Sequence, residues 1–261
     1  MIRVGVVGAA GKMGRSVIAA VSAAADLELA AVIDPRADEL SLLQPVVSAA
    51  SLDALPDGCC DVLVDFTSPE AARHHLAGAL RRGFHLVVGT TGLGSDEIAE
   101  LEDAAAASGA NCVVAANFAI GAVLLMRFAA QAAPYFDAVE IIELHHDQKV
   151  DAPSGTSIAT ARAIADARRQ AGVDPAVDPT TTHVIEGARG AKAPGDIPIH
   201  SVRLPGLVAH EEVLFGGPGQ GLTIRHDSYD RLSFMSGVLL AVREVSARPG
   251  VTVGLEPLLE G

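Results

Sequence analysis

The chain is expected to be an α/β protein, a doubly wound parallel sheet joined to a second α+β domain whose sheet is mixed and mainly antiparallel. Three observations predict this. From Met1 to about Asn117, short β-branched runs alternate with alanine-rich stretches of helical length, the pattern of parallel strands connected by helical crossovers. The strand centres are apolar throughout, as in strands buried on both faces. Beyond Asn117 the alternation stops, and several strands follow with no regular helix between them. A length of 261 residues accommodates two domains.

In the first part, residues 2–7, 27–33, 61–65, 85–88 and 111–115 are expected strands. Residues 14–25, 69–82 and 95–108 are expected helices, with Ser68 and Ser95 as N-caps. After them come a helix over 120–132, a strand over 138–145 and a helix over 154–170. Strands are then expected at 180–185, 199–204, 208–215 and 222–226, with a functional loop at 186–198 rich in Gly, Pro, Arg and Lys. The last helix, 231–245, carries Leu232, Val238, Leu239, Leu240 and Val245, an apolar stripe that must be buried, and is expected to return to the first domain. The domains are therefore set at 1–117 plus 230–261 for dinucleotide binding, and 118–229 for substrate binding and oligomerisation.

Hydrophobic residues at 49% and charged residues at 20% suit packed cores. Asp+Glu outnumber Lys+Arg by 32 to 19, the net charge is −13, and aromatics are 3% with no Trp. Such a surface repels phosphates and offers few rings for stacking, so no nucleic acid is expected as a partner. An anionic ligand must be held by local cations instead. The longest weakly polar stretch, 112–126, is interrupted by Asn117 and falls short of the roughly 18 residues a membrane helix needs, so no membrane is expected either. Cys59, Cys60 and Cys112 form neither a CxxC pair nor an even disulfide framework, and no export signal opens the chain. A cytoplasmic location is expected.

Gly8, Gly11 and Gly14 form GxxGxxG between the first strand and the first helix, together with Ala10, Lys12 and Met13. Glycines there permit a tight turn and the approach of a pyrophosphate to the helix N-terminus, which is the dinucleotide site of a Rossmann-type fold. A P-loop is excluded, because Lys12 is followed by Met13 and its upstream glycine position is Val6. Asp34 ends the second strand twenty residues past Gly14, where an acid binds the adenosine ribose. Lys12 and Arg36 lie in loops able to oppose a 2′-phosphate, so both NADH and NADPH are expected as cofactors. Three further loops, with Phe66 and Thr67, with Gly89, Thr90 and Thr91, and with Ala116, Asn117 and Phe118, should gather at the carboxyl edge of the sheet and line the nicotinamide side. Their threonines and asparagine suit a carboxamide, and Gly89 allows close backbone approach.

The most informative stretch runs from Glu140 to Thr156, EIIELHHDQKVDAPSGT. His145 and Lys149 offer a proton donor or acceptor beside a cation, and Ser154, Gly155 and Thr156 open a helix whose N–H groups suit a carboxylate. Together they predict a site for a small anionic substrate. Adjacent His145 and His146 face opposite sides of a strand and make a poor chelate, so no metal is expected. His183, His200, His210 and His226 show no partner spacing, and the cysteines are assigned structural roles.

This stretch resembles the signature of the dihydrodipicolinate reductase family, E-x-x-E-x-H-x-x-x-K-x-D-x-P-S-G-T, at every specified position, with Ser157 where the family usually has Ala. The resemblance extends over the chain through the glycine turn, Asp65–Thr67, Gly89–Gly92 and Ala116–Phe118. It implies a homotetrameric enzyme of diaminopimelate and lysine biosynthesis that reduces a cyclic dicarboxylate with NADH or NADPH. It further implies His145 as acid/base residue, Lys149 as proton donor, and His146, Ser154, Gly155, Thr156 and a late arginine as substrate contacts. Arg231 matches that arginine, with Arg225 nearby. Another two-domain amino-acid or imine dehydrogenase would share the glycine turn and Asp34 without needing His145, Lys149 and the Ser-Gly-Thr together. A nucleotide-sensing module would need no proton donor.

Overall fold

The computed structural model describes residues 1–42, 46–175 and 177–259; residues 43–45, 176, 260 and 261 of the expected domain ranges lie outside them. The chain forms two compact units, Met1–Ile120 with Arg231–Gly261, and Gly121–Asp230.

The first unit contains β1 (Ile2–Val7), α1 (Lys12–Ala23), β2 (Leu27–Ile33), β3 (Val47–Ala49), β4 (Val62–Asp65), α2 (Pro69–Arg81), β5 (His85–Val88), α3 (Ser95–Ser108) and β6 (Cys112–Val114). Late in the chain it gains α6 (Leu232–Glu244) and β12 (Val251–Val253). Its seven strands are all parallel in the order β12-β6-β5-β4-β1-β2-β3. The strand order reverses between β1 and β4, and ligands of such sheets bind outside the carboxyl ends at that point. Val4, Val6, Leu63, Val64 and Val87 have no exposure, which explains the unbroken apolar strand centres.

Ser68 caps α2 by accepting the Ala71 N–H at 3.2 Å. Ser95 is not a cap: α3 begins at Ser95, Gly94 precedes it, and Glu97 Oε2 accepts the Gly94 N–H at 2.7 Å. The reaching glutamate does the work that the expected serine would have done. α6 packs on α1 with Met235, Val238, Ala241, Val242 and Val245 buried, and Arg243 pairs with Asp26 at 2.7 Å. Leu232 is exposed, so the buried stripe starts one turn later than expected. β3 and β12 are edge strands of three residues each, too short to carry a periodic signal.

The second unit contains α4 (Ile120–Ala132), β7 (Ala138–His145), α5 (Gly155–Gln170), β8 (Ala191–Lys192), β9 (Pro198–Arg203), β10 (Ala209–Gly217) and β11 (Gln220–Ser228). The strand order is β11-β10-β7-β9-β8, with β7 and β9 parallel and every other pair antiparallel. Leu125 and Ala129 of α4, Ala161 and Ile164 of α5, and Val139, Ile141, Ile199, Val213 and Phe215 of the sheet form one core. The expected strand at 180–185 is absent: those residues have no ladder partner, and Val184 and Ile185 are exposed. Their β-branched character has no apolar surface to cover, so propensity alone does not make a strand. The loop expected at 186–198 instead contains β8. No described helix is long and apolar enough to cross a membrane.

Candidate active site

In the first unit, the glycine turn sits at the carboxyl end of β1. Gly8 has φ +74°, and its N–H donates to the Ile33 carbonyl at 2.9 Å. A Cβ on Gly14 would lie 2.2 Å from the Gly8 oxygen, so α1 can start over this turn only with glycine there. Gly11 precedes α1 with no side-chain cap, and the first turn contains no acid. Among the described residues, therefore, no carboxylate of that turn compensates the positive end of α1.

Asp34 is almost fully buried and braces this turn. Its Oδ2 accepts the Ala10 N–H at 3.0 Å, its Oδ1 accepts the Arg36 N–H at 2.9 Å, and the Arg36 guanidinium lies 3.9 Å away. Arg36 also reaches Glu39 at 4.0 Å. Lys12 is exposed in the first turn of α1 and makes no ion pair among the described residues, and Met13 beside it is half-buried.

Asp65 is a hub that sequence reading left without a role. It ends β4 with no exposure, and its Oδ1 accepts the Thr67 N–H at 2.9 Å, the Thr67 hydroxyl at 2.8 Å and the Thr90 hydroxyl at 2.9 Å. Its Oδ2 meets His75 Nε2 of α2 at 2.6 Å. Burial pushes this carboxyl up, but His75 and the Thr67 donors outweigh it and hold it below the ordinary range. One carboxylate thus joins the loops after β4 and β5. An aspartate two residues before a threonine at a strand end is an Asx-turn signal that would have found it. Gly89 serves Phe66 rather than open space: a Cβ there would lie 2.0 Å from that ring. Phe66 meets Phe118 edge-on at 5.7 Å between centroids. Asn117 Oδ1 accepts the Ala119 N–H at 2.9 Å, while Thr91 and Ala116 are exposed.

In the second unit, alternation along β7 puts Glu143 on the core-facing side with Val139 and Ile141, and His145 two residues on. Glu143 is fully buried. One oxygen meets His145 Nδ1, and both take a guanidinium N–H of Arg203 at 2.8 Å. The Ser154 N–H adds a contact at 3.3 Å. Burial raises the Glu143 carboxyl, yet hydrogen bonds from His145 and Arg203 outweigh it and bring it down to about 2. Glu143 is therefore ionised, and since a carboxylate only accepts, His145 Nδ1 carries a proton. That leaves His145 Nε2 as the nitrogen that can exchange a proton. Glu143 lies inside the E-x-x-E-x-H run, and its i, i+2 spacing to His145 on a strand was the available signal; Arg203, sixty positions away in sequence, gave none.

Lys149 Nζ contacts both oxygens of Asp151 at 2.8 Å, and this pairing holds the Asp151 carboxyl below its usual range. Arg203 also donates to the Asp151 carbonyl at 2.7 Å, so the guanidinium that fixes Glu143 fixes the lysine loop as well. The His146 ring accepts the Gln148 N–H at 3.2 Å. Ser154 caps α5: its Oγ accepts the Ser157 N–H at 3.1 Å and lies 2.8 Å from Ser157 Oγ. The Ser154 side chain is thus turned inward, and Gly155 and Thr156 form the outer edge of the helix end. Ser154 is linked to His145 through Glu143, and the Lys149–Asp151 loop is linked to the same carboxylate through Arg203.

Of the two arginines, Arg225 is bound to Asp227 and Glu212, each at 3.0 Å, whereas Arg231 is exposed at the start of α6. Two histidines without partner spacing in sequence do have carboxylate partners: His200 meets Glu140 at 2.7 Å and His210 meets Asp227 at 2.7 Å. These are cross-strand pairs, which linear spacing cannot reveal. The cysteines are free thiols, and burial pushes those of Cys60 and Cys112 up. No group of three His, Cys, Asp or Glu suited to a metal occurs among the described residues.

Comparison with known proteins places these features in a family. The family described as "Dihydrodipicolinate reductase, N-terminus" matches residues 2–118, and "Dihydrodipicolinate reductase, C-terminus" matches residues 121–259. The chain is 51% identical over 260 residues to the 4-hydroxy-tetrahydrodipicolinate reductase of Mycolicibacterium vanbaalenii, and 52% identical to that of Mycolicibacterium smegmatis, covering 99% of each chain in both cases. The dipicolinate-bound dihydrodipicolinate reductase of Paenisporosarcina sp. TG-14 superposes with a TM-score of 0.87 at 43% identity, covering 98% of this chain and 99% of that one. The chain belongs to the dihydrodipicolinate reductase family.

Proposed function

We propose that the chain is an NAD(P)H-dependent 4-hydroxy-tetrahydrodipicolinate reductase of the diaminopimelate route to lysine. The observation that carries this reading is the buried Glu143 carboxylate gripping His145 and Arg203, beside the Lys149 loop and the N-terminus of α5. The bound dipicolinate in the Paenisporosarcina relative supports a small dicarboxylate as the substrate class.

The first unit suits a pyridine nucleotide. The positive end of α1 offers N–H groups to a pyrophosphate, Asp34 stands where ribose hydroxyls are bound, and the Phe66, Thr67, Gly89, Thr90, Thr91, Ala116, Asn117 and Phe118 loops form the nicotinamide side. A bound nicotinamide would supply hydride to the unsaturated ring that remains once the 4-hydroxyl has left as water. The electron pair left on the ring then takes a proton, and Lys149 and His145 Nε2 are the groups able to deliver it. Lys149 and the end of α5 at Gly155 and Thr156 give a dicarboxylate local compensation inside a chain of net charge −13. A Cβ on Gly155 would touch nothing within 4 Å among the described residues, so the space over this helix end is open to a ligand. His146 and Arg231 complete the proposed substrate contacts. The first unit, with its C-terminal return, is the dinucleotide domain; the second binds substrate and assembles a cytoplasmic homotetramer.

The test is oxidation of NADH and NADPH in the presence of the product of dihydrodipicolinate synthase. Turnover with that product is expected, and its absence with correctly folded protein would overturn the reading. Sedimentation tests the tetramer.

A further inference from the structure

Glu211 lies on β10 directly opposite Glu143 in the β7–β10 register, and on its other side it faces His226 of β11. Three strands therefore present Glu143, Glu211 and His226 in one row on the core-facing side. The two carboxylates have unlike surroundings. Glu143 has Arg203 and His145 as partners, whereas Glu211, only 6% exposed, has no cation in contact among the described residues. Its Oε2 takes the Ser157 hydroxyl at 2.7 Å, and its Oε1 is buried with no hydrogen-bond partner among the described residues. Ser157 in turn sits 2.8 Å from the Ser154 hydroxyl, and the Ser157 N–H donates to Ser154 Oγ at 3.1 Å. A chain of hydrogen bonds thus runs from Glu211 through Ser157 to the residue that caps α5.

We propose that Glu211 is a positioning residue that, as a neutral carboxylic acid, anchors the Ser157–Ser154 hydroxyl chain and so sets the N-terminus of α5 in the geometry that receives a substrate carboxylate. This rests on the reading of that helix end given above.

The groups that face Glu211 agree on its charge. From β7 the ionised Glu143 opposes a second negative charge, and His145 counters it from farther away. From β11 His226 stands opposite, and burial lowers its basicity, which keeps it from being a cation there. From α5 the hydroxyls of Ser157 and Thr160 approach. Burial first, and then Glu143, push the Glu211 carboxyl up against the pull of those hydroxyls. An ionised Glu211 would hold its charge buried directly opposite the Glu143 carboxylate, so losing its proton must disturb the chain it anchors.

Infrared difference spectra of wild type against Glu211→Gln read the protonation state directly. A protonated-carboxyl band at neutral pH, lost in the variant and lost from wild type at alkaline pH, is expected. Its absence at neutral pH overturns the proposal. Kinetics read the positioning. Glu211→Ala and Ser157→Ala should each raise the substrate KM about tenfold while kcat changes less than about threefold and the NADH dissociation constant stays level. Glu211→Gln, which keeps a neutral acceptor for Ser157, should restore KM to within about threefold at neutral pH and remove the rise in KM that accompanies loss of the infrared band. A purely structural role would lower the thermal midpoint in both alanine variants and leave KM and its pH profile unmoved, which overturns the proposal. Should wild type fail to turn over, that failure strikes the assigned reaction, and the same variants are then read by dipicolinate binding with the same tenfold expectation.

Discussion

Both oxygens of the Glu143 carboxylate lie 2.8 Å from guanidinium nitrogens of Arg203, on a glutamate side chain with no solvent exposure. Two charges taken out of water hold each other there, and the same arginine reaches the Asp151 carbonyl at 2.7 Å. The pair therefore supports His145 on one side and the Lys149 loop on the other. Breaking it by Arg203→Ala leaves an uncompensated buried carboxylate and should destabilise the protein by roughly 3–5 kcal/mol. Denaturant unfolding measures this, and a loss under 1 kcal/mol would contradict the pairing.

Acid sensitivity follows from the same carboxyl. Its pKa is depressed in the folded protein to about 2, below the ordinary glutamate value of about 4.3. A depressed pKa contributes stability that is fully present above the unfolded value and is lost as pH falls toward the folded one. Wild type should therefore lose stability relative to Glu143→Gln as pH drops from about 5 to about 2. Thermal midpoints of the two proteins should converge over that window. Parallel curves would mean that Glu143 is not held ionised.

His145→Gln should lower kcat by about 100-fold or more and change substrate affinity less, because proton transfer is needed only in the transition state. Lys149→Ala should likewise lose turnover while the NADH dissociation constant stays within about twofold, since Lys149 bonds to Asp151 of its own loop and not to the glycine turn. Stopped-flow hydride transfer and fluorescence titration separate the two effects. A large rise in the NADH constant for Lys149→Ala would remove it from the substrate loop.

The sequence made these residues visible because they lie in one contiguous run, where strand alternation and helix capping act over a few positions. It could not show Arg203, which reaches Glu143 only through the parallel pairing of β7 with β9, or His75, which meets Asp65 from the next helix. The same limit hid the partners of His200 and His210, both set by strand neighbours. The strand wrongly expected at 180–185 failed for the opposite reason: its residue types favour extension, but no neighbouring strand pairs with it. The parallel sheet was legible because each of its long strands is apolar through its centre, while three-residue β3 and β12 depend on edge pairing.

Asp65→Asn should weaken the nucleotide site and spare the substrate site. The amide keeps the shape but loses the charged acceptor that gathers three donors and His75, at a cost of about 1–3 kcal/mol in stability. The dissociation constant for NADH should rise several-fold, with substrate KM little changed. Calorimetric titration of NADH checks it, and an unchanged constant would reduce Asp65 to a structural residue.

Cofactor choice rests on Asp34 against Lys12 and Arg36. Asp34 is buried and spends its oxygens on the Ala10 and Arg36 N–H groups, while the Arg36 guanidinium is shared between Asp34 at 3.9 Å and Glu39 at 4.0 Å. Lys12 has neither entanglement, so it is the cation better placed to oppose a 2′-phosphate. A carboxylate near a phosphate costs on the order of 1 kcal/mol at a partly screened surface, and one nearby cation recovers a similar amount. NADH and NADPH should therefore differ by less than about a hundredfold in kcat/KM, equivalent to roughly 2.7 kcal/mol. Lys12→Ala should hurt NADPH more than NADH, and raising the salt concentration should act in the same direction on wild type by screening the attraction to the extra charge. Measuring both cofactors with wild type and Lys12→Ala at two salt concentrations decides it. A NADH/NADPH ratio that the mutation leaves unchanged would exclude Lys12 and transfer the role to Arg36, whose own replacement should then shift the ratio despite its pairing with Asp34.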